Sequence, residues 1–247
     1  GKFPVVLYNF GGSLFNLIVT LLFVPVLIAA PKGGLLALFG FLMIGMGIIS
    51  SLGNGIPFRT ESVDNDGYNA VSLHKNEHAM KAFWIQMKVN EQLRHGVRTK
   101  DMPDEWFEVP SDEAMKNSLV ATIGVYAASR LMDQHRFIEA ETLINHMLEI
   151  DSGMVPIHRN LMICDLIYLE LIGKNRSDRI DELYNKDLKK FIKTMKAFPS
   201  VIRMEYAYYL LAADDPDMAA RLKASFNNVA VTYTKVDRKS GSAGMPR

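Results

Sequence analysis

Two charge-free apolar runs open the chain, and helical periodicity fills most of the remainder. Phe10 to Ala30 spans 21 residues, 13 of them Leu, Ile, Val or Phe and none charged. As a helix it measures about 30 Å, one hydrocarbon thickness. At about −0.3 to −0.6 kcal/mol each, its large apolar side chains outweigh the glycines, Asn16 and Pro25 for insertion. Pro31-Lys32-Gly33-Gly34 reads as a tight turn, and Leu35 to Leu52 is a second uncharged run continuing to Pro57. The length of the first run and the lack of a basic start argue against a secretory leader. Residues 1–70 are therefore expected to hold a transmembrane hairpin rather than the buried hairpin of a soluble core.

Residues 71–229 carry a different pattern. Glu77 to His95 sets Met80, Phe83, Trp84, Met87 and Leu93 near one helical face, with Gly96 as a stop. Lys100 to Asn117 is punctuated by Pro103 and Pro110 and reads as a loop, pinned to the core by Trp106 and Phe107. Ser111 is expected to cap a helix running to Asp133. Further helices are expected over 136–150, 155–172, 179–197, 199–213 and 216–229. Asp215-Pro216 is a cap and first-turn pair. These helical hairpins are similar to tetratricopeptide-type repeats without a clean period, so an α-solenoid-like bundle is expected. Residues 230–247 are polar with Gly, Ser and Pro and read as a disordered tail. The fold class is all-α, a transmembrane hairpin followed by a cytoplasmic helical domain.

Charge sharpens this division. Of 28 basic residues only Lys2 and Lys32 precede Arg59, and none of the 27 acidic residues does. Net charge is +1, which gives no ground for nucleic acid as a partner. Lys2, Arg59 and Lys75 flank the spans, against Lys32 alone in the turn, which puts both ends of the hairpin in the cytoplasm. Cys164 is the only cysteine, so neither an intrachain disulfide nor a cysteine zinc cluster can form. It lies in an apolar run and reads as core. No nucleophile elbow, phosphate loop or dinucleotide fingerprint appears.

The polar residues of the hairpin carry the candidate chemistry. Asn16 lies inside the first span and needs a partner, either as helix-packing glue or lining a wet cavity. Gly11, Gly12, Gly47 and Ser51 allow close helix approach. Asn54-Gly55-Ile56-Pro57 should end the second helix, and Glu61, Asp64, Asp66 and Gly67 come next at its mouth.

"GGSLFN" resembles the Gly-Pro-x-x-Asn motif of the site-2 protease family of intramembrane zinc metalloproteases, with Ser13 where that family usually has Pro. "NGIPFRTESVDNDG" resembles the family's Asn-x-x-Pro segment followed by Asp-Gly. The resemblance covers residues 1–70 as family core. Residues from about Tyr68 to Asn228 are similar to the helical extension of a bacterial subgroup, which implies a bacterial cell membrane. The resemblance implies that Asp66 is a zinc ligand, with Asp64 the alternative. It implies that Asn16 lines the catalytic site near the substrate, and that Asn54 and Pro57 contact substrate. The expected cofactor is one zinc ion, and the expected partners are a membrane-protein or peptide substrate, the bilayer, and a protein bound to the helical domain. The family's remaining ligands and general base come from His-Glu-x-x-His on an earlier helix. No histidine precedes His74, so the chain, which opens with Gly1, is expected to be the later portion of such an enzyme and inactive alone. His74-Lys75-Asn76-Glu77-His78 fits the inverted zinc motif, but Ser72 and Asn76 mark it as a solvated helix start. The rival expectation is a non-catalytic membrane-anchored helical adaptor, or an inactive protease relative.

Overall fold

The computed structural model describes residues 4–58, 65–73 and 76–232. Helices and short 3-10 turns are its only regular elements among these residues. The chain divides after Met80 into two compact units.

The first unit begins with α1 (Val5–Ala29) and α2 (Leu35–Gly55). Both are long and apolar enough to cross a membrane. The turn between them closes through the Gly34 N–H, which donates to the Pro31 carbonyl at 3.0 Å. Gly33 supplies the positive φ, +80°, that its third position requires. The hairpin is antiparallel, and its register is written in glycines. Gly40 meets Leu27, Gly47 meets Thr20, and Gly55 meets Ser13. A Cβ on Gly47 would lie 1.9 Å from the Thr20 hydroxyl oxygen, so any other residue there would have to displace that hydroxyl. Thr20 Oγ1 donates to the Asn16 carbonyl at 2.8 Å, and Ser51 Oγ donates to the Ser13 carbonyl at 3.0 Å.

The seam between α1 and α2 thus buries small and polar residues, while Phe15, Leu22, Phe41 and Ile49 face outward. That inverts the order of a water-soluble pair and is how helices pack when the surroundings are as apolar as leucine. After α2 comes α3 (Asp66–Leu73).

The second unit contains most of α4 (Glu77–Arg94), three 3-10 turns (Thr99–Asp101, Asp104–Trp106, Ala114–Lys116), and α5 (Ser118–Asp133). Beyond them lie α6 (Phe137–Glu149), α7 (Pro156–Ile172), α8 (Ser177–Leu183), α9 (Lys186–Thr194), α10 (Pro199–Leu211) and α11 (Pro216–Thr232). Asn76 Oδ1 accepts from the Ala79 N–H and starts α4. His78 lies exposed in its first turn, as a solvated helix start requires, and His74 is outside the described residues. The loop after α4 is pinned as the sequence suggests. Trp106 packs edge-on to Trp84 with ring centres 5.9 Å apart. Phe107 is buried under the Arg130 guanidinium, 4.6 Å from its ring centre.

Two helix boundaries differ from expectation. Ser111 does not cap α5. It supports the preceding 3-10 turn, and α5 starts at Asn117, whose Oδ1 accepts from the Leu119 and Val120 N–H groups. The helix expected over 179–197 is broken at Tyr184. Asn185 restarts it by accepting from the Asp187 and Leu188 N–H groups, a stronger start signal than the lysines around it. Elsewhere His135, Asp151, Asn175 and Asp214 take positive φ just after helices end, a conformation that Asn, Asp and His tolerate best. Asp215 caps α11 through the Met218 N–H at 2.9 Å.

Cys164 is fully buried in the main core with Ile167, Ile192 and Met204, and burial pushes its thiol far above the usual range. Glu205 on α10 is half-buried, and burial alone raises its carboxyl above the usual carboxylate range. A raised carboxyl stabilises the fold below the unfolded value of about 4.3 and loses that contribution as pH rises past it. Glu205→Gln is therefore expected to raise the melting temperature at pH 7 by about 2–4 °C. Thermal denaturation at pH 7 and at about pH 4 checks this, because the gain should vanish at the lower pH.

Candidate functional site

The candidate site forms where α2 ends and α3 begins, and one side chain builds it. Asn65 Nδ2 donates to the Gly53 carbonyl at 2.9 Å and to the Ile56 carbonyl at 2.6 Å. Its Oδ1 accepts from the Phe58 N–H at 3.1 Å and from the Tyr68 N–H at 2.9 Å. Gly53 has one of the carbonyls that the last turn of α2 leaves unpaired, and Tyr68 has one of the amides that the first turn of α3 leaves unpaired. Asn65 therefore closes one helix and opens the next. All four of its partners are backbone groups, so the path of the chain through this corner is fixed without reference to neighbouring side chains.

Asp66 is the next residue, half-buried at the first position of α3. The amide end of a helix suits a carboxylate. Gly67 then abuts the end of α2. A Cβ there would lie 2.4 Å from the Gly55 carbonyl oxygen and 2.8 Å from its carbon. Gly55 in turn faces Ser13 across the α1 seam, its ideal Cβ position 3.4 Å from the Ser13 hydroxyl oxygen. Ser13, Gly55 and Gly67 thus bring three helices together, with Asp66 beside the junction. The Ser13 hydroxyl is buried and has no hydrogen-bond partner among the described residues.

The other expected site residues are spread along α1 and α2. Asn16 is half-buried on α1, three residues or about 4.5 Å of helix rise beyond Ser13. Its carbonyl lines the seam opposite Gly47. Asn54 and Pro57 are exposed at the end of α2. Asp64, the alternative ligand, lies outside the described residues. Sequence reasoning missed Asn65, although Asn two or three residues before the amides of a new helix is a legible start signal.

Among the described residues, no three His, Cys, Asp or Glu side chains are grouped so as to hold a metal ion. Asp66 is a carboxylate of the right type for one zinc ligand, held on a rigid corner, and the other donors would have to come from elsewhere. No family model, curated protein or solved structure matches this chain.

Proposed function

We propose that residues 1–70 are the later core of an intramembrane zinc metalloprotease of the site-2 type, and that the helical unit is its cytoplasmic, solenoid-like extension. The observation that carries this reading is the four-bond clamp of Asn65, which holds Asp66 at the junction of α1, α2 and α3. A half-buried carboxylate beside the end of an apolar helix is a fitting donor to a divalent metal. When bound, zinc would supply a water of lowered pKa for attack on a peptide carbonyl. Asp66 would hold the metal, and Asn65 would fix the backbone on which Asp66 stands. Asn16 would orient the substrate backbone from α1, with Asn54 and Pro57 at the entrance. The outward-facing Phe15, Leu22, Phe41 and Ile49 support a bilayer around α1 and α2. The flanking Lys2, Arg59 and Lys75 support a cytoplasmic helical unit, while a bacterial cell membrane rests on the resemblance of residues 68–228 to the helical extension of a bacterial subgroup.

One observation favours a second reading, a membrane-anchored helical adaptor or inactive relative. Among the described residues, Asp66 is not part of a group of three His, Cys, Asp or Glu side chains that could hold a metal ion. The two readings separate on zinc content in the protein expressed from its complete reading frame. The protease reading expects about one zinc per chain, falling by at least about tenfold in Asp66→Ala, with loss of cleavage of a transmembrane reporter. Zinc content unchanged by Asp66→Ala, or no zinc in the unsubstituted protein, would leave the adaptor.

A further inference from the structure

The helical unit contains a cleft of about 320 Å³ that is separate from the Asp66 corner. Leu93, Val125 and Leu161 supply apolar wall from three helices, and Phe198 adds to it just before α10. Asp165 and Arg203 also line it, although they are only 7% and 9% exposed. Arg203 reaches Oδ1 of Asp165 through one terminal nitrogen at 2.8 Å, and its guanidinium lies 4.4 Å from the Tyr168 ring centre. Its Nε finds no partner among the described residues. That nitrogen is closed off from the cleft, so an occupant can meet the pair only through the small exposed share of the two side chains.

Charge decides what could meet them. The Asp165–Arg203 pair is neutral as a whole, and Asp133, the other carboxylate lining the cleft, is matched by Arg98, whose Nε donates to it at 3.0 Å. A free anion or cation would enter without a counter-charge and lose its hydration. An amide is neutral and matches the pair group for group. Its carbonyl can accept from the guanidinium, and its N–H can donate to the Asp165 oxygen that the ion pair does not engage. The walls suit aliphatic side chains on either side of that amide. The volume is at the lower end for ligand sites and takes about two residues of chain.

We propose that this cleft binds an uncharged, extended peptide segment with aliphatic side chains, its backbone amide paired with Asp165 and Arg203. The site stands independently of the metalloprotease reading. The probe is unlabelled acetyl-Leu-Val-Ser-Leu-Val-amide, titrated against the full chain in lipid nanodiscs, with empty nanodiscs as baseline and isothermal calorimetry as readout. Saturable binding above baseline is expected. Ser129 lines the cleft and is half-buried, so Ser129→Trp should fill the space and weaken binding by at least about tenfold. Phe198 is a 38% exposed wall residue whose truncation spares the core, and Phe198→Ala should weaken binding by about threefold. If Ser129→Trp does not fold, Phe198→Ala decides. The proposal is overturned by no binding above empty nanodiscs or by binding that these substitutions leave unchanged. It is equally overturned if the free-carboxylate twin of the peptide binds about tenfold tighter than the amide.

Discussion

Gly67→Ala is expected to separate α3 from the end of α2. The added methyl would sit 2.4 Å from the Gly55 carbonyl oxygen and 3.0 Å from the Ile56 carbonyl carbon. Both are backbone atoms, so no flexible side chain can move aside, and the first turn of α3 must shift. The shift pulls Tyr68 away from Asn65, and Asn65 cannot then hold all four of its partners. Overpacking of this kind costs about 1–3 kcal/mol. Hydrogen exchange at the Phe58 and Tyr68 amides reads it directly, with protection expected to fall by about 10–100-fold. Gly55→Ala is the matched control. Its methyl would meet only the Ser13 side chain at 3.4 and 3.5 Å, close to ordinary contact, and should leave that protection nearly unchanged. Equal protection in Gly67→Ala and the unsubstituted protein would mean that the corner is not closed by this contact.

Arg203→Met should be the most damaging single change in the helical unit. It strands Asp165, which is 7% exposed, without its cation. Losing one partner of a buried pair costs about 3–5 kcal/mol, whereas replacing both with apolar groups is often neutral. Asp165→Leu combined with Arg203→Met should therefore recover most of the loss. Burial already raises the Asp165 carboxyl despite the attraction of Arg203. Removing Arg203 raises it further, so the penalty is greatest at neutral pH and shrinks on acidification as the carboxyl takes up a proton. Guanidinium unfolding at pH 7 and about pH 4.5 measures both effects. A double variant no more stable than the single one would mean that the loss comes from packing of the Arg203 stem.

These two sites also mark what can be read along the chain and what cannot. The apolar runs of α1 and α2, the stop at Gly96, the start at Asp215 and the burial of Cys164 are legible because each depends on spacing or composition within a few residues. The Asn65 corner is partly legible. Asn54, Pro57, Asp66 and Gly67 stand out as residue types, but the clamp depends on an amide reaching back 12 residues to Gly53, which no local pattern records. Asn117 takes over the start that Ser111 suggests, and Asn185 adds a start inside the helix expected over 179–197, because a cap is decided by which side chain faces the free amides. The Asp165–Arg203 pair is invisible, its partners lying 38 residues apart on α7 and α10.

The interlocking of Gly47 with Thr20 and of Gly55 with Ser13 has a mechanical meaning. Axial sliding of one long helix past the other would drive a side chain into each of these notches, so a piston stroke is blocked. Sideways parting is opposed at the far end too, where Ser13 packs on Gly55 and accepts from Ser51, and Gly67 of α3 abuts Gly55. The pair is therefore latched at both ends, by its turn and by the corner beside Asp66, and moves as one body.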